Sequence, residues 1–154
     1  MAILSMQTGA DNPILRKKST EVKKIDTKLK KFIDDMKDTL VSHEGIGLAA
    51  PQVGKNIRVV LVCLNPKTKN ENTVVMINPE ITYKSEEMYE AEEGCLSLPG
   101  IYLQVLRSKE IIVDFQSLKK QKQTLRLEGI NARIVQHEVD HVNGILIVDY
   151  HLNA

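Results

Sequence analysis

Gly129-Ile130-Asn131-Ala132-Arg133-Ile134-Val135-Gln136-His137-Glu138-Val139-Asp140-His141-Val142-Asn143 is the stretch that decides the fold. It predicts a helix with Ile130, Ile134, His137, Glu138 and His141 near one face, stopped by Asn143-Gly144. Its centre has the spacing H-E-x-x-H, and positions i and i+4 of a helix share a face, so both imidazoles can point at one metal ion. Glu138 then sits beside the metal as a general base for a water held there. Ile134, Val135, Val139, Val142, Ile145 and Leu146 surround the motif, so the helix is expected to be buried. Buried histidines and a buried glutamate need partners, which favours a metal site over two unrelated surface histidines.

The third protein ligand distinguishes the hydrolases that share this motif. A thermolysin-like site takes a downstream glutamate, and no glutamate follows His141. A metzincin site extends to a further histidine; Gly144 matches the glycine of that pattern, but Ile147 stands where the histidine belongs. The ligand must therefore lie upstream, and Cys95 in Glu93-Gly94-Cys95-Leu96-Ser97 is the best candidate. A thiolate plus two imidazoles leaves one position open for water. Cys63, inside an apolar run, reads instead as a buried structural thiol.

Outward from the motif, the chain of 154 residues fits one domain, taken as 1–154. Its 21 Lys plus Arg against 20 Asp plus Glu give a net charge of +1 and no electrostatic reason to expect nucleic acid or an anionic membrane as partner. No apolar run approaches the roughly 18 residues of a membrane-spanning helix. The opening MAILSMQTGADNP is too short and polar for a secretory signal, and 2 cysteines make no disulfide framework, so the expected compartment is the cytoplasm.

Residues 26–43 predict an N-terminal helix, with Asp26 as N-cap, a stripe of Leu29, Phe32, Ile33, Met36 and Leu40, and Gly45 as its end. Ile57–Leu64 reads as a buried strand; Thr73–Ile77, Ile81–Tyr89, Ile101–Leu106, Ile111–Phe115 and Gln123–Leu127 are further strands, and Ile145–Val148 a short closing one. The fold class is α+β: antiparallel strands packed around a central metal-binding helix, with an N-terminal helix. Gly45-Ile46-Gly47-Leu48-Ala49-Ala50-Pro51-Gln52 is expected to be a loop of small residues. Its G-x-G-x-x-A pattern lacks the strand-then-helix context of a dinucleotide site. It can instead offer backbone N–H groups and the Gln52 amide to a polarised carbonyl.

Taken together, GIGLAAPQ, EGCLS and HEVDH, in that order, resemble the three signature motifs of the peptide deformylases, with the bacterial-type form fitting best. The likeness extends from Pro13-Ile14-Leu15-Arg16 to Asn143-Gly144-Ile145-Leu146. It implies an enzyme that removes the formyl group from the N-terminal formyl-methionine of nascent polypeptides, with Fe(II) as native metal and Zn, Ni or Co able to replace it. Carried over by motif, it assigns Cys95, His137 and His141 to the metal and Glu138, Gln52 and the Leu96 backbone N–H to catalysis. Gly45, Gly47 and Gly94 would hold the substrate, and Ile46, Leu96 and Ile134 would wall a methionine pocket. Glu93 would pair with Arg107 behind the cysteine loop. Many bacterial relatives continue into a C-terminal helix; this sequence stops at Ala154, so that helix is expected to be missing, which leaves ribosome contact unsupported. An H-E-x-x-H zinc metallopeptidase and a structural metal-binding module stay open as alternatives.

Overall fold

The computed structural model describes residues 2–152. Helices α1 (Pro13–Arg16) and α2 (Thr27–Ser42) come first. They are followed by β1 (Gly47–Ala49), a 3-10 turn (Ala50–Val53), β2 (Val59–Leu64), β3 (Asn72–Lys84), β4 (Met88–Cys95), β5 (Leu98–Ser108), β6 (Glu110–Gln116) and β7 (Lys122–Glu128). Helices α3 (Ile130–Val142) and α4 (Ile147–Leu152) close the order. One sheet runs β1-β2-β3-β6-β7 and a second consists of β4 and β5; every pairing between these strands is antiparallel. The expected α+β class is what the chain adopts, with α3 central and α2 the N-terminal helix.

Strand β2 organises the packing because both of its faces are buried. Val60, Val62 and Leu64 face Val135, Val139 and Val142 of α3, joined by Met76, Val113 and Phe115. Val59 and Leu61 join the second cluster, with Leu29, Ile33, Met36 and Leu40 of α2. Each such side chain contributes about 1.5–3 kcal/mol when fully buried. Leu29, Ile33, Met36 and Leu40 of the stripe read from the sequence are the buried face of α2, with Phe32 half-buried beside them, and the Asp26 carboxylate accepts from Leu29 N–H at 2.8 Å as its N-cap.

Four expectations change. The small-residue loop contains β1, whose Gly47, Leu48 and Ala49 pair with Val62, Leu61 and Val60. Three residues are too few to show a two-residue period, so only the partner strand reveals it. Helix α2 is ended by Glu44 at φ 53° rather than by a left-handed Gly45. Gly45 is small for a packing reason, since a Cβ there would lie 3.0 Å from Leu40 and 3.3 Å from Leu96. Strand β3 continues through Pro79 with a bulge after Ile77, where Asn78 has φ 53°, and breaks at 85–87, so Ile81–Tyr89 is not one strand.

The fourth change is at the C-terminal end. Ile145–Val148 is not a strand; α4 begins at Ile147, so a short helix follows the metal-motif helix directly. The Asp149 carboxylate accepts from Leu146 N–H at 3.0 Å, as a residue in a helix's first turn can, and from Arg16 at 2.7 Å.

Burial alone would raise the Asp149 pKa, but Arg16 and the Leu146 N–H outweigh it and hold it below the ordinary aspartate value. A depressed carboxylate contributes stability above its unfolded pKa and loses it as pH falls through the folded value. Asp149→Ala should therefore cost about 1 kcal/mol in urea unfolding near neutral pH, and the difference from wild type should shrink at about pH 3. A difference unchanged at the lower pH would show that the ionised carboxylate is not its source.

Candidate metal centre

Helix α3 places His137 and His141 one turn apart with their Nε2 atoms 3.2 Å from each other. Cys95, the last residue of β4, brings its Sγ to 3.3 Å from His141 Nε2, and the three ligand atoms lie within 4.8 Å of one another. A tetrahedral ion with bonds of about 2.1 Å to nitrogen and 2.3 Å to sulfur needs N···N near 3.4 Å and N···S near 3.6 Å. The donor set and its spacing fit a metal. Among the described residues the group has these three members, fewer than the four of a closed structural site.

Orientation comes from behind. Glu93 Oε1 lies 2.8 Å from His137 Nδ1, which directs the other ring nitrogen to the cluster. Arg107 grips Glu93 with two bonds, Nε to Oε2 at 2.7 Å and Nη2 to Oε1 at 2.9 Å, so the expected pair is present. Arg133 adds a third at 2.5 Å while also donating to the Val105 and Tyr89 carbonyls. Burial would raise the Glu93 pKa, but Arg107 and His137 overcome it and hold the carboxyl well below the usual range. Burial likewise disfavours imidazolium at His137, yet Cys95 and Glu93 raise it to about 10, whereas burial and the His137 charge lower His141. The cluster thus favours a cation at its centre, the place a metal ion would take from a proton.

Glu138 follows His137 into a cavity of about 740 Å³ and is 4% exposed. Burial pushes its pKa up to about 7. Its Oε1 has no hydrogen-bond partner among the described residues, and a Cβ at Gly47 would come within 2.3 Å of its Oε2. Glycine at 47 is therefore what lets β1 pass the carboxylate. Gln52 is 2% exposed and oriented at both ends. Its Oε1 accepts from Ala49 N–H at 2.9 Å, which turns Nε2 toward Ser97 Oγ at 3.2 Å and Cys95 Sγ at 3.6 Å.

Gly45, Ile46, Gly47, Gly94, Leu96 and Ile134 all line the same cavity. Arg107 stands behind Glu93, outside that lining. The sequence reading missed Arg133, although it lies one turn before His137 in a helix expected to be buried, which was a usable signal. It also missed Ser97, and Asp140 and Tyr150, which both bond Arg107. No local pattern marks residues 6–9, where Gln7 N–H donates to the Gln52 carbonyl at 2.7 Å and Gly9 N–H to the Ser97 carbonyl at 3.0 Å. That segment straps the Gln52 turn to the β4–β5 connection.

Comparison with known proteins shows the family and the overall fold. The chain is 44% identical over 138 residues to a peptide deformylase of Dictyoglomus thermophilum, covering 90% of this chain and 86% of that one. It superposes on the crystal structure of the Thermotoga maritima peptide deformylase with a TM-score of 0.91 at 41% identity, covering 97% and 98% of the two chains. A class I type b peptide deformylase of Acinetobacter baumannii with Met-Ala-Ser bound gives 0.89 at 38% identity, covering 97% and 98%. The family model for polypeptide deformylase matches residues 6–153, nearly the whole chain, and this protein belongs to that family.

Proposed function

We propose that this chain removes the N-formyl group from the N-terminal formyl-methionine of nascent polypeptides. The observation that carries the reading is the convergence of Cys95, His137 and His141 at one point, with the buried Glu138 carboxylate beside it in an open cavity. A single catalytic domain, 1–154, does this work. Cys95, His137 and His141 would hold the metal, natively Fe(II) with Zn, Ni or Co as substitutes, and when bound it would supply Lewis-acid polarisation at the site.

The chain's own residues do the rest. Glu138 accepts the proton of the attacking water and returns it to the leaving amine, a task suited to a carboxyl poised near 7. The water oxygen bonds to the formyl carbon, the formamide C–N bond breaks, and formate and a free amino terminus leave. Gln52 Nε2, already aimed by Ala49 and Ser97, donates to the developing oxyanion together with the Leu96 backbone N–H. Gly45, Gly47 and Gly94 leave room for an extended peptide along the edge of β1, and Ile46, Leu96 and Ile134 surround the methionine side chain. The relative that binds Met-Ala-Ser supports a methionyl product in this cavity.

No helix among the described residues is long and apolar enough to cross a membrane. We place the enzyme in the cytoplasm, acting on formylated nascent chains without binding nucleic acid directly.

Formate release from formyl-Met-Ala-Ser, with no cleavage of an unformylated longer peptide, tests the reaction. Glu138→Gln should lower kcat/KM at least about a hundredfold while metal content stays near one ion per chain; full activity in that variant would remove Glu138 from the base role. A thiolate beside Fe(II) invites oxidation. Iron enzyme purified in air should therefore lose activity that anaerobic iron enzyme or nickel enzyme keeps, and equal activity of the two iron preparations would contradict it.

A further inference from the structure

Behind the metal centre a line of buried and half-buried polar groups runs out to α4. Arg107 uses Nε and Nη2 on Glu93 and turns Nη1 the other way, to Asp140 Oδ2 at 2.8 Å and to the Tyr150 hydroxyl at 3.1 Å. The Tyr150 hydroxyl in turn donates to Asp140 Oδ2 at 2.5 Å. Its ring lies over the Arg107 guanidinium at 4.7 Å. Arg107 is 3% exposed and the Asp140 side chain 14%, so water can do little to substitute for a missing member.

Arg107 therefore divides one guanidinium between Glu93, which Arg133 also contacts, and Asp140, for which it is the one cationic partner among the hydrogen bonds and ion pairs described, so Asp140 competes with Glu93 for it. The Tyr150 hydroxyl, as donor to Asp140 and acceptor from Arg107, meets part of the demand of Asp140. Without it, Asp140 would draw the guanidinium toward itself and loosen the two-bond grip on Glu93. Glu93 is the group that orients His137, and an outer partner that orients a metal ligand changes metal binding without touching the ion.

We propose that Tyr150 is a positioning residue for the metal site: through Asp140, Arg107 and Glu93 its hydroxyl fixes the ring of His137, so that docking of α4 sets how firmly the metal is held. The inference rests on the reading of Cys95, His137 and His141 as metal ligands. It gives α4 a part in the site that the three sequence motifs do not contain.

The test uses the whole chain loaded with Co(II). Tyr150→Phe keeps the ring on Arg107 and removes only the hydroxyl. Release of Co(II) to excess EDTA should be about fivefold faster than in wild type, below the roughly tenfold loss typical of a group that bonds a metal ligand directly, because Asp140, Arg107 and Glu93 intervene, and the visible Co(II) band should shift or broaden. Release within twofold of wild type with an unchanged band would overturn the proposal, even if the variant were less stable in urea. Failure of the wild-type chain to take up about one Co(II) would overturn the metal reading itself, and this inference with it; the two failures are thus told apart.

Discussion

Glu93 is a carboxylate only 8% exposed, and the rest of the site is arranged around keeping it ionised. An isolated charge at that depth would take up a proton instead. Its neutralising partners come from two other elements, Arg107 on β5 and Arg133 with His137 on α3, while Glu93 itself sits on β4. The same bonds therefore fasten the two-stranded sheet to the central helix and set the His137 ring. Removing one partner of such a buried group typically costs about 3–5 kcal/mol, because the remaining charge is stranded. Stability and metal geometry are here the same set of contacts.

The opposite wall belongs to the five-stranded sheet. Strand β1 is anchored by β2 and packs against α3, and Gly47 brings its backbone within reach of Glu138. The turn after β1 carries Gln52, and the strap of residues 6–9 ties that turn to Ser97 beside Cys95. The cavity thus lies between two sheets that share no strand pairing among the described residues and meet through α3, the N-terminal segment and Gln52. That arrangement leaves the edge of β1 available to an extended peptide, while the donors around it are already oriented.

The chemistry was more legible in the sequence than the connections were. His137, Glu138 and His141 stood out because polar groups at helical spacing in an apolar helix demand a partner, and the absence of a downstream ligand pointed back to Cys95. Glu93 with Arg107 followed from the cysteine loop. Strand β1 was hidden because three small residues carry no periodicity. Helix α4 was hidden because Ile145, Leu146, Ile147 and Val148 resemble a strand, while the contacts that accompany the helix, of Asp149 with Leu146 and Arg16 and of Leu146 and Ile147 with Leu15 and Leu98, come largely from distant parts of the chain. Tyr150, dependent on that helix, could not be connected to the site from sequence alone.

The central claim is that one metal ion is held by one thiolate and two imidazoles in a site open to water. X-ray absorption at the metal edge of the loaded protein addresses it directly. The account predicts a shell with one sulfur near 2.3 Å and two imidazole nitrogens near 2.0–2.1 Å, completed by a light atom from solvent. A shell without sulfur, or one closed by a fourth protein ligand, would contradict it.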